Sequence, residues 1–318
     1  MQFYDDATIQ QHYQMTDAIQ DIKLLLKELN HVSHTERLVI PTGEGSQSML
    51  YMPSIHFGKQ MGMIKITSIT PQNPTANRPT TQANIVITNI QTGEHIATID
   101  ASYLTRLRTG ALSAIATEYL SRENAQTLGM IGTGGMAYEQ LWGNIEVRNI
   151  QNVILYNRTY EKAVQFQKYI QDRFPHLNVL VSDNVNDLVV QSDIINCQTQ
   201  STQPVFNAKD IQKGTHINGI GSYRPDMVEI DYQILPNTSH VVFDDIEGVK
   251  KEAGEFIKAN EEKIFCFEDV YGNLKSVIES SDLARSEDDI TVFKSVGASY
   301  YDLAVALGAY HCLQTSIE

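Results

Sequence analysis

The chain has 318 residues, of which 42% are hydrophobic and 19% charged, the composition of a globular protein with about two domains. Its formal net charge of −14 argues against binding to nucleic acid or to an anionic membrane surface, because both need clustered Lys and Arg. No apolar run approaches the roughly 18 residues of a membrane span, so the expected partner is a small molecule.

The cysteines and histidines argue against disulfide and metal frameworks. Cys197, Cys266 and Cys312 are far apart and odd in number, which favours a reducing compartment. The acidic N-terminus lacks the apolar segment of an export signal, so we expect a cytoplasmic protein. Only His31 and His34 lie close together, and nothing near them completes a metal shell, so no metal is expected.

The first hundred residues predict an α+β domain built on an antiparallel sheet. Residues 15–30 carry apolar side chains at helical spacing, with Thr16 or Asp17 placed to cap the helix start. Four later segments alternate or are rich in β-forming residues, and we predict strands at residues 49–53, 61–69, 85–90 and 95–99. The last two strands form a hairpin.

Residues 103–120 return to helical spacing, and this helix is expected to bridge two domains. It carries Arg106 and Arg108 among apolar and small residues. A charge on such a face is costly unless it is paired. The alternative is an arginine that extends to solvent.

Residues 127–159 predict a strand, a glycine turn, a helix and a second strand, the opening of a dinucleotide-binding unit. The turn spells GxGxxA, and its expected cofactor contacts are Gly132, Gly134, Gly135, Met136 and Ala137. The glycines permit a tight turn and a close approach of the backbone to a pyrophosphate, which rests on the helix N-terminus. A glycine loop used only for packing is the alternative.

The remaining elements complete a doubly wound parallel sheet of the Rossmann type. Short apolar strands are predicted at residues 178–181, 194–197, 216–220 and 241–244, with a helix at 185–191. Residues 247–289 are charged and show no clear period. A last helix at 299–313 should pack on the N-terminal domain. We therefore expect a domain of residues 1–117, completed by 296–318, and a Rossmann domain of residues 118–295.

Several separate motifs agree in order and spacing with one family. Lys65, the run LTRLRTGALSA at 104–114, the GxGxxA turn and FKSVG at 293–297 resemble the ornithine cyclodeaminase/mu-crystallin family over nearly the whole chain. The resemblance implies a homodimer with an N-terminal substrate-binding and dimerisation domain and a Rossmann domain. The activities it implies include cyclodeamination of ornithine or lysine, alanine dehydrogenation and ketimine reduction.

The resemblance also implies site residues. Arg37, Lys65 and Arg108 match a cationic cluster around the substrate carboxylate, Thr80 matches a substrate-contacting threonine, and Ser295 and Gly297 of FKSVG match cofactor contacts. Arg and Lys suit a carboxylate chemically. The alternatives are a structural ion pair for Arg108, an exposed strand lysine for Lys65 and a turn hydroxyl for Thr80.

One departure from the family pattern bears on the reaction. Cyclodeaminases carry a carboxylate after the strand at 216–221, but this chain has Tyr223 there, within GSYRPDM. Asp226 would replace the carboxylate only if the loop folds differently. Without that negative charge a second ammonium group is poorly held, which disfavours ornithine. Tyr223 joins Lys65 and Arg108 as a catalytic candidate, since a tyrosine with a pKa of about 10 can donate a proton.

The end of the second Rossmann strand predicts the cofactor. An NAD enzyme usually places Asp or Glu there, whereas this chain has Asn157, Arg158 and Thr159. Arg158 suits a 2′-phosphate and its neighbours can donate to the phosphate oxygens, so we expect NADP(H) to be preferred, with NAD(H) possible. The alternative is a solvated arginine that starts the next helix.

These features support three hypotheses about function. The first is an NAD(P)H-dependent reductase of a small ketimine or cyclic imino acid, reversible as an amino-acid dehydrogenase. The second is an ornithine cyclodeaminase that converts L-ornithine to L-proline with ammonia release. The third is a non-catalytic, dinucleotide-dependent protein that binds a small molecule.

Overall fold

The chain forms two compact units. The computed structural model describes residues 1–43, 47–280, 283 and 285–315. Unit 1 consists of Met1–Arg108 and Ala298–Glu318, and unit 2 of Thr109–Gly297; the chain leaves unit 1 earlier than the boundary expected after residue 117. Among the described residues, no helix is long and apolar enough to cross a membrane.

Unit 1 is built on a seven-stranded sheet. Its strands are β1 (Gln2–Tyr4), β2 (Val32–His34), β3 (Leu38–Pro41), β4 (Ser48–His56), β5 (Met61–Ile69), β6 (Thr81–Asn89) and β7 (His95–Asp100). Their order is β1-β7-β6-β5-β4-β2, and β3 also pairs with β4. All neighbours are antiparallel except β1, which lies parallel to β7.

Helices α1 (Asp6–His12) and α2 (Met15–Lys27) belong to unit 1, and α3 (Ser102–Leu120) begins in unit 1 and continues into unit 2 after Arg108. Helix α2 buries Ile19, Ile22 and Leu25 on one side, as its apolar spacing predicts. Its start is capped by Asp17, which accepts a hydrogen bond from the Gln14 N–H at 2.8 Å. The candidate cap Thr16 instead lies inside the helix.

The two faces of the unit 1 sheet differ. Lys65 on β5 pairs in register with Met52 on β4 and Ile85 on β6, and all three side chains are buried. The next register row, formed by Pro53, Ile64 and Val86, points to the opposite face and is partly exposed. Because side chains alternate along a strand, Lys65 projects into the interior of unit 1.

Unit 2 is an eight-stranded parallel sheet. Its strands are β8 (Thr127–Ile131), β9 (Asn152–Tyr156), β10 (Asn178–Val181), β11 (Ile194–Cys197), β12 (His216–Gly219), β13 (His240–Phe243), β14 (Gly272–Asn273) and β15 (Thr291–Lys294). Their order is β10-β9-β8-β11-β12-β15-β13-β14. The order reverses between β8 and β11, and in open sheets of this kind ligands bind at the carboxyl ends of the strands at such a point.

Helices connect these strands: α4 (Ala137–Val147), α5 (Tyr160–Gln171), α6 (Val185–Gln191), α7 (Ile246–Glu252), α8 (Gly254–Glu261) and α9 (Leu274–Glu279). The last helix, α10 (Ser299–Thr315), returns to unit 1, where it packs on β4, β5 and α2. The predicted fold class, a Rossmann-type parallel sheet with a separate α+β domain, is confirmed.

Candidate functional site

Two buried cations of unit 1 share one carboxylate. Lys65 on β5 is 2% exposed, Arg108 on α3 is 8% exposed, and Asp302 in the first turn of α10 is 1% exposed. The Lys65 Nζ donates a hydrogen bond to Asp302 Oδ1 at 2.7 Å, and the Arg108 Nε donates to the same oxygen at 3.2 Å. Three elements that are distant in sequence therefore bring their charges to one point.

The charges of this cluster alter each other's ionisation. Burial lowers the pKa of Lys65 to about 8, and the positive charges of Arg108 and Arg37 lower it as well, whereas Asp302 opposes the change. Burial alone would raise the pKa of Asp302, but Lys65 and Arg108 hold it below its ordinary value. Asp302 is therefore ionised near neutral pH, and Lys65 and Arg108 together carry one more charge than Asp302 neutralises.

The cluster keeps hydrogen-bonding capacity for a ligand. In the described part of the chain, the Arg108 guanidinium donates only through Nε, so the pair of donors that forms a fork for a carboxylate remains available. Lys65 likewise gives one of its three N–H groups to Asp302. The ion pair with Asp302 thus engages Arg108 without consuming its capacity to bind an anion.

The structure places the other two candidates of unit 1 differently. Arg37 lies between β2 and β3, is partly buried, and its charge acts on Lys65. Thr80 is exposed and immediately precedes β6. Ile85, five residues further along β6, is the register partner of Lys65, which puts Thr80 roughly 15 Å away along the strand. Arg37 is thus grouped with Lys65 and Thr80 is not.

In unit 2 the glycine turn follows β8 and leaves open space. Gly132 has a φ of 99°, and a Cβ there would lie 3.0 Å from the carbonyl oxygen of Gln198 in the loop after β11. This position therefore requires glycine. A Cβ at Gly134 or Gly135 would meet no atom within 4 Å. These two glycines leave a cradle at the point where the strand order reverses.

The polar groups of the cradle suit a pyrophosphate. The Thr133 hydroxyl is buried with no hydrogen-bond partner in the described part of the chain and can donate to a phosphate oxygen, and Ala137 is fully buried where α4 meets the sheet. The amide groups before Ala137 belong to the start of α4, where free N–H groups favour an anion. The residues present therefore fit the dinucleotide predicted from the GxGxxA pattern.

The end of β9 is joined to the glycine turn. Asn157 Oδ1 accepts a hydrogen bond from the Thr133 N–H at 3.1 Å, and Asn157 Nδ2 donates to the Thr159 carbonyl oxygen at 2.9 Å. Arg158 is exposed, and it forms no hydrogen bond or ion pair with any residue that the structure describes. Asn157 thus organises the turn, while Arg158 is the cation available to a ligand.

The FKSVG segment binds a carboxylate of its own unit. Ser295 Oγ and the Gly297 N–H each donate to Asp244 Oδ2 at 2.7 Å, and the Val296 N–H also donates to Asp244. Asp244 follows β13 and is 1% exposed. The hydrogens of Ser295 and Gly297 are therefore committed within unit 2, and Ser295 retains only its acceptor capacity for a cofactor.

The loop after β12 carries Tyr223 and Asp226. Tyr223 is partly buried against the apolar core of unit 2. Asp226 is exposed and receives two hydrogen bonds from Arg224, at 3.0 and 2.9 Å. These bonds hold the pKa of Asp226 below its ordinary value. Asp226 thus remains an exposed, ion-paired carboxylate and does not replace the one missing at Tyr223.

A second buried charge cluster lies in unit 2. Lys294 Nζ is 3.0 Å from Glu255 Oε1 and 3.5 Å from Glu229 Oε1, and all three side chains are at most 1% exposed. Glu229 also accepts hydrogen bonds from the N–H groups of Gly221 and Thr199. It therefore joins the loops after β11 and β12. No group of three His, Cys, Asp or Glu residues suited to a metal occurs among the described residues.

Sequence reasoning missed Asp302, although a signal was present. Asp302 stands in the apolar run SYYDLAVALGAY, just as Arg108 stands in an apolar helix. The cost of burying an unpaired charge therefore applies to both residues and predicts that each has a partner. Pairing the two isolated charges would have found the contact.

Comparisons with known proteins agree with this architecture. A Delta(1)-pyrroline-2-carboxylate reductase of Bacillus cereus strain ATCC 10987 is 36% identical over 303 residues, which cover 93% of this chain and 91% of that protein. An alanine dehydrogenase of Archaeoglobus fulgidus is 35% identical over 248 residues, 78% of this chain and 75% of that protein.

Solved structures give the same result. A Thermococcus litoralis Delta(1)-pyrroline-2-carboxylate reductase in complex with NADH and L-proline matches with a TM-score of 0.94 at 27% identity, covering 99% of this chain and 98% of its own. An archaeal alanine dehydrogenase dimer with bound NAD matches with a TM-score of 0.91 at 28% identity, covering 100% and 97%.

The family model described as "Ornithine cyclodeaminase/mu-crystallin family" matches residues 2–316. The resemblance inferred from Lys65, the 104–114 run, the glycine turn and FKSVG is therefore confirmed. The chain belongs to the ornithine cyclodeaminase/mu-crystallin family.

Proposed function

We propose that the chain is an NAD(P)H-dependent reductase of a small cyclic imino acid that carries a carboxylate on its imine carbon. A five-membered ring of the Delta(1)-pyrroline-2-carboxylate type is the proposed substrate, and the cyclic amino acid is the product. The observation that carries the proposal is the buried Lys65, Arg108 and Asp302 cluster, in which two cations share one carboxylate. The names of the relatives support the same chemistry.

The residues of unit 1 bind and orient the substrate. The free edge of the Arg108 guanidinium donates two hydrogen bonds to the substrate carboxylate, and Lys65 and Arg37 add positive charge. The glycine turn after β8 would hold the dinucleotide, whose reduced nicotinamide would supply the hydride that the imine carbon accepts. Fixing the carboxylate fixes the neighbouring carbon, and such alignment can lower a barrier by several kcal/mol.

The loop after β12 favours reduction over ornithine cyclodeamination. A cyclodeaminase must hold the second ammonium group of ornithine, for which a carboxylate is the natural partner. The chain has Tyr223 at the family's carboxylate position, and Asp226 is paired with Arg224. A cyclic imine has no second ammonium group, so this loop suits it better.

For the cofactor we propose a preference for NADP(H). Arg158 is exposed, no contact engages it within the described residues, and no acid stands at Asn157 to repel a 2′-phosphate. The contacts of Asn157 with Thr133 and Thr159 fix its side chain beside the turn. Arg158 is then the residue that pairs with the phosphate.

For the assembly we propose a homodimer formed through the partly exposed face of the unit 1 sheet. That face presents apolar side chains of two adjacent strands, among them Pro53, Ile55, Ile64 and Ile66. The similar alanine dehydrogenase is a dimer. Ile64→Glu is expected to give monomers in light scattering, whereas Leu24→Glu, a matched change at an exposed residue of α2, keeps the dimer. A wild-type monomer at all concentrations would refute the dimer.

The function is tested by following oxidation of reduced nicotinamide with a substrate panel. We expect rapid oxidation with Delta(1)-pyrroline-2-carboxylate and none with 1-pyrroline, the same ring without a carboxylate. Formation of proline and ammonia from L-ornithine, with no net cofactor turnover, would establish the cyclodeaminase instead. Dinucleotide binding without turnover on any imine would establish the binding protein.

A further inference from the structure

We propose that Lys65 is the proton donor to the imine nitrogen and that Asp302 is the residue that positions it. The inference rests on the proposed function and extends it, because reduction of a neutral imine consumes a proton as well as a hydride. Asp302 contacts no substrate atom in this proposal. It acts through Lys65.

The geometry gives Lys65 access to two adjacent groups of the substrate. In an α-imino acid the carboxylate and the nitrogen are both attached to the imine carbon. One compact ammonium can therefore contact a carboxylate oxygen and the nitrogen together. Lys65 uses one N–H for Asp302, which leaves two for these contacts. Arg108 has a fixed planar fork and is always charged, so it can hold the carboxylate but cannot give up a proton.

Asp302 fixes the position of Lys65. It lies at the N-terminal end of α10, where a carboxylate is favoured by the helix dipole, and its Oδ1 accepts from both cations while Oδ2 is buried with no partner among the described residues. Lys65 is thereby held on the interior face of β5, between apolar register neighbours. Without this anchor the ammonium would be free to adopt other rotamers.

The surrounding charges adjust Lys65 for proton transfer. Burial lowers the pKa of Lys65 the most, Arg108 from α3 and Arg37 from the loop before β3 lower it further, and Asp302 from α10 raises it. A pKa of about 8 leaves Lys65 mostly protonated at neutral pH yet able to release the proton, which is the condition for an effective general acid.

The step balances without a further reagent. The N–H bond of the Lys65 ammonium breaks and a proton passes to the imine nitrogen. The hydride adds to the imine carbon, and the electron pair of the C=N π bond becomes localised on nitrogen. Lys65 is left neutral and regains a proton from solvent. The sum is one imine, one reduced dinucleotide and one proton converted to one amine and one oxidised dinucleotide.

The pH profile of kcat tests the proposal. The wild-type rate should fall as pH rises through about 8, because Lys65 loses its proton. Asp302→Asn removes the charge that raises the pKa of Lys65, so the fall should move to lower pH by about one pH unit or more, and kcat near neutral pH should fall about tenfold or more. Asp302→Glu, which restores the charge, should move the profile back towards that of the wild type.

Asp21→Asn is the matched control. Asp21 is a carboxylate of the same unit, but it accepts a hydrogen bond from the neutral Tyr13 hydroxyl at 2.7 Å, so its loss should leave the profile unchanged. Identical profiles for wild type and Asp302→Asn would overturn the role of Asp302. A rate that does not fall above pH 8 would overturn the role of Lys65.

A second readout does not depend on turnover. In protein labelled with ¹³C at the lysine ε carbon, the signal absent from Lys65→Met identifies Lys65, and its titration midpoint can be measured without substrate. It should lie near 8 in the wild type and lower in Asp302→Asn. A midpoint unchanged by Asp302→Asn would overturn the inference, while a shifted midpoint in a protein that reduces no imine would locate the failure in the proposed function.

Discussion

The open cradle at Gly134 makes a prediction that separates cofactor binding from folding. A Cβ at Gly134 meets no protein atom within 4 Å, and its φ is not in the left-handed region that only glycine adopts readily. Gly134→Ala should therefore change the free energy of unfolding by no more than about 1 kcal/mol. The change should be stabilising, because alanine reduces the conformational entropy of the unfolded chain. The added methyl group would occupy the space proposed for the pyrophosphate.

The expected loss of affinity follows from that displacement. Moving the pyrophosphate away from the start of α4 breaks one or more charged hydrogen bonds, each worth about 1.5–3 kcal/mol, so dinucleotide affinity should fall roughly tenfold to a hundredfold. Fluorescence titration with NADPH measures the affinity, and thermal unfolding of the unliganded protein measures stability.

Gly129→Ala provides the opposite control. A Cβ at this residue of β8 would overlap Ser192 Oγ and lie 2.5 Å from Leu188 Cδ2, so this variant should lose about 1–3 kcal/mol of stability while its folded fraction binds the dinucleotide normally. The reasoning is refuted if Gly134→Ala binds NADPH as tightly as the wild type, or if it melts as early as Gly129→Ala.

Three further predictions concern other sites. Lys65→Met or Arg108→Leu should cost about 2 to 5 kcal/mol of substrate interaction with little change in dinucleotide affinity; unaltered kcat/KM would remove these residues from the mechanism. Asn157→Asp combined with Arg158→Ala should shift preference towards NAD(H) by about 1 to 3 kcal/mol, the scale of a charged hydrogen bond; a wild-type protein that binds NADH at least as tightly as NADPH would contradict it. Lys294→Met leaves two buried carboxylates without their cation, so urea unfolding should show a loss of about 3–5 kcal/mol at pH 7. That loss should shrink towards pH 5, because burial raises the pKa of Glu229 and this carboxyl takes up a proton as pH falls; a loss independent of pH would count against the charge argument.

Local patterns predicted the elements whose periodicity is unbroken. The strand expected at residues 61–69 is β5, and the second strand expected within residues 127–159 is β9. In both cases an alternating or continuously apolar pattern indicates directly which side chains are buried. Strand β15 was not predicted. It is short, ends in Lys294, and lies between β12 and β13 in the sheet. Its strand conformation therefore depends on pairing with strands that are distant in sequence.

The site divides in the same way. The glycine turn is a local motif, and its conformation could be predicted from adjacent residues. The contact between Lys65 and Asp302 joins positions 237 residues apart, and no residue near Lys65 in sequence indicates that Asp302 is its partner. Ser295 and Gly297 show the converse limit, since their motif was evident but their hydrogen bonds to Asp244 depend on a loop after another strand.

The most direct test of the central claim is a single-turnover measurement of NADPH oxidation with Delta(1)-pyrroline-2-carboxylate, compared between wild type and Lys65→Met. The wild type should oxidise one equivalent of NADPH per site and form proline. Lys65→Met should bind NADPH with nearly normal affinity and transfer the hydride at a rate lower by two orders of magnitude or more, on the scale of about 10²–10⁴ for a lost general acid. Wild-type transfer rates in Lys65→Met, or no oxidation of NADPH or NADH by the wild type, would contradict the account.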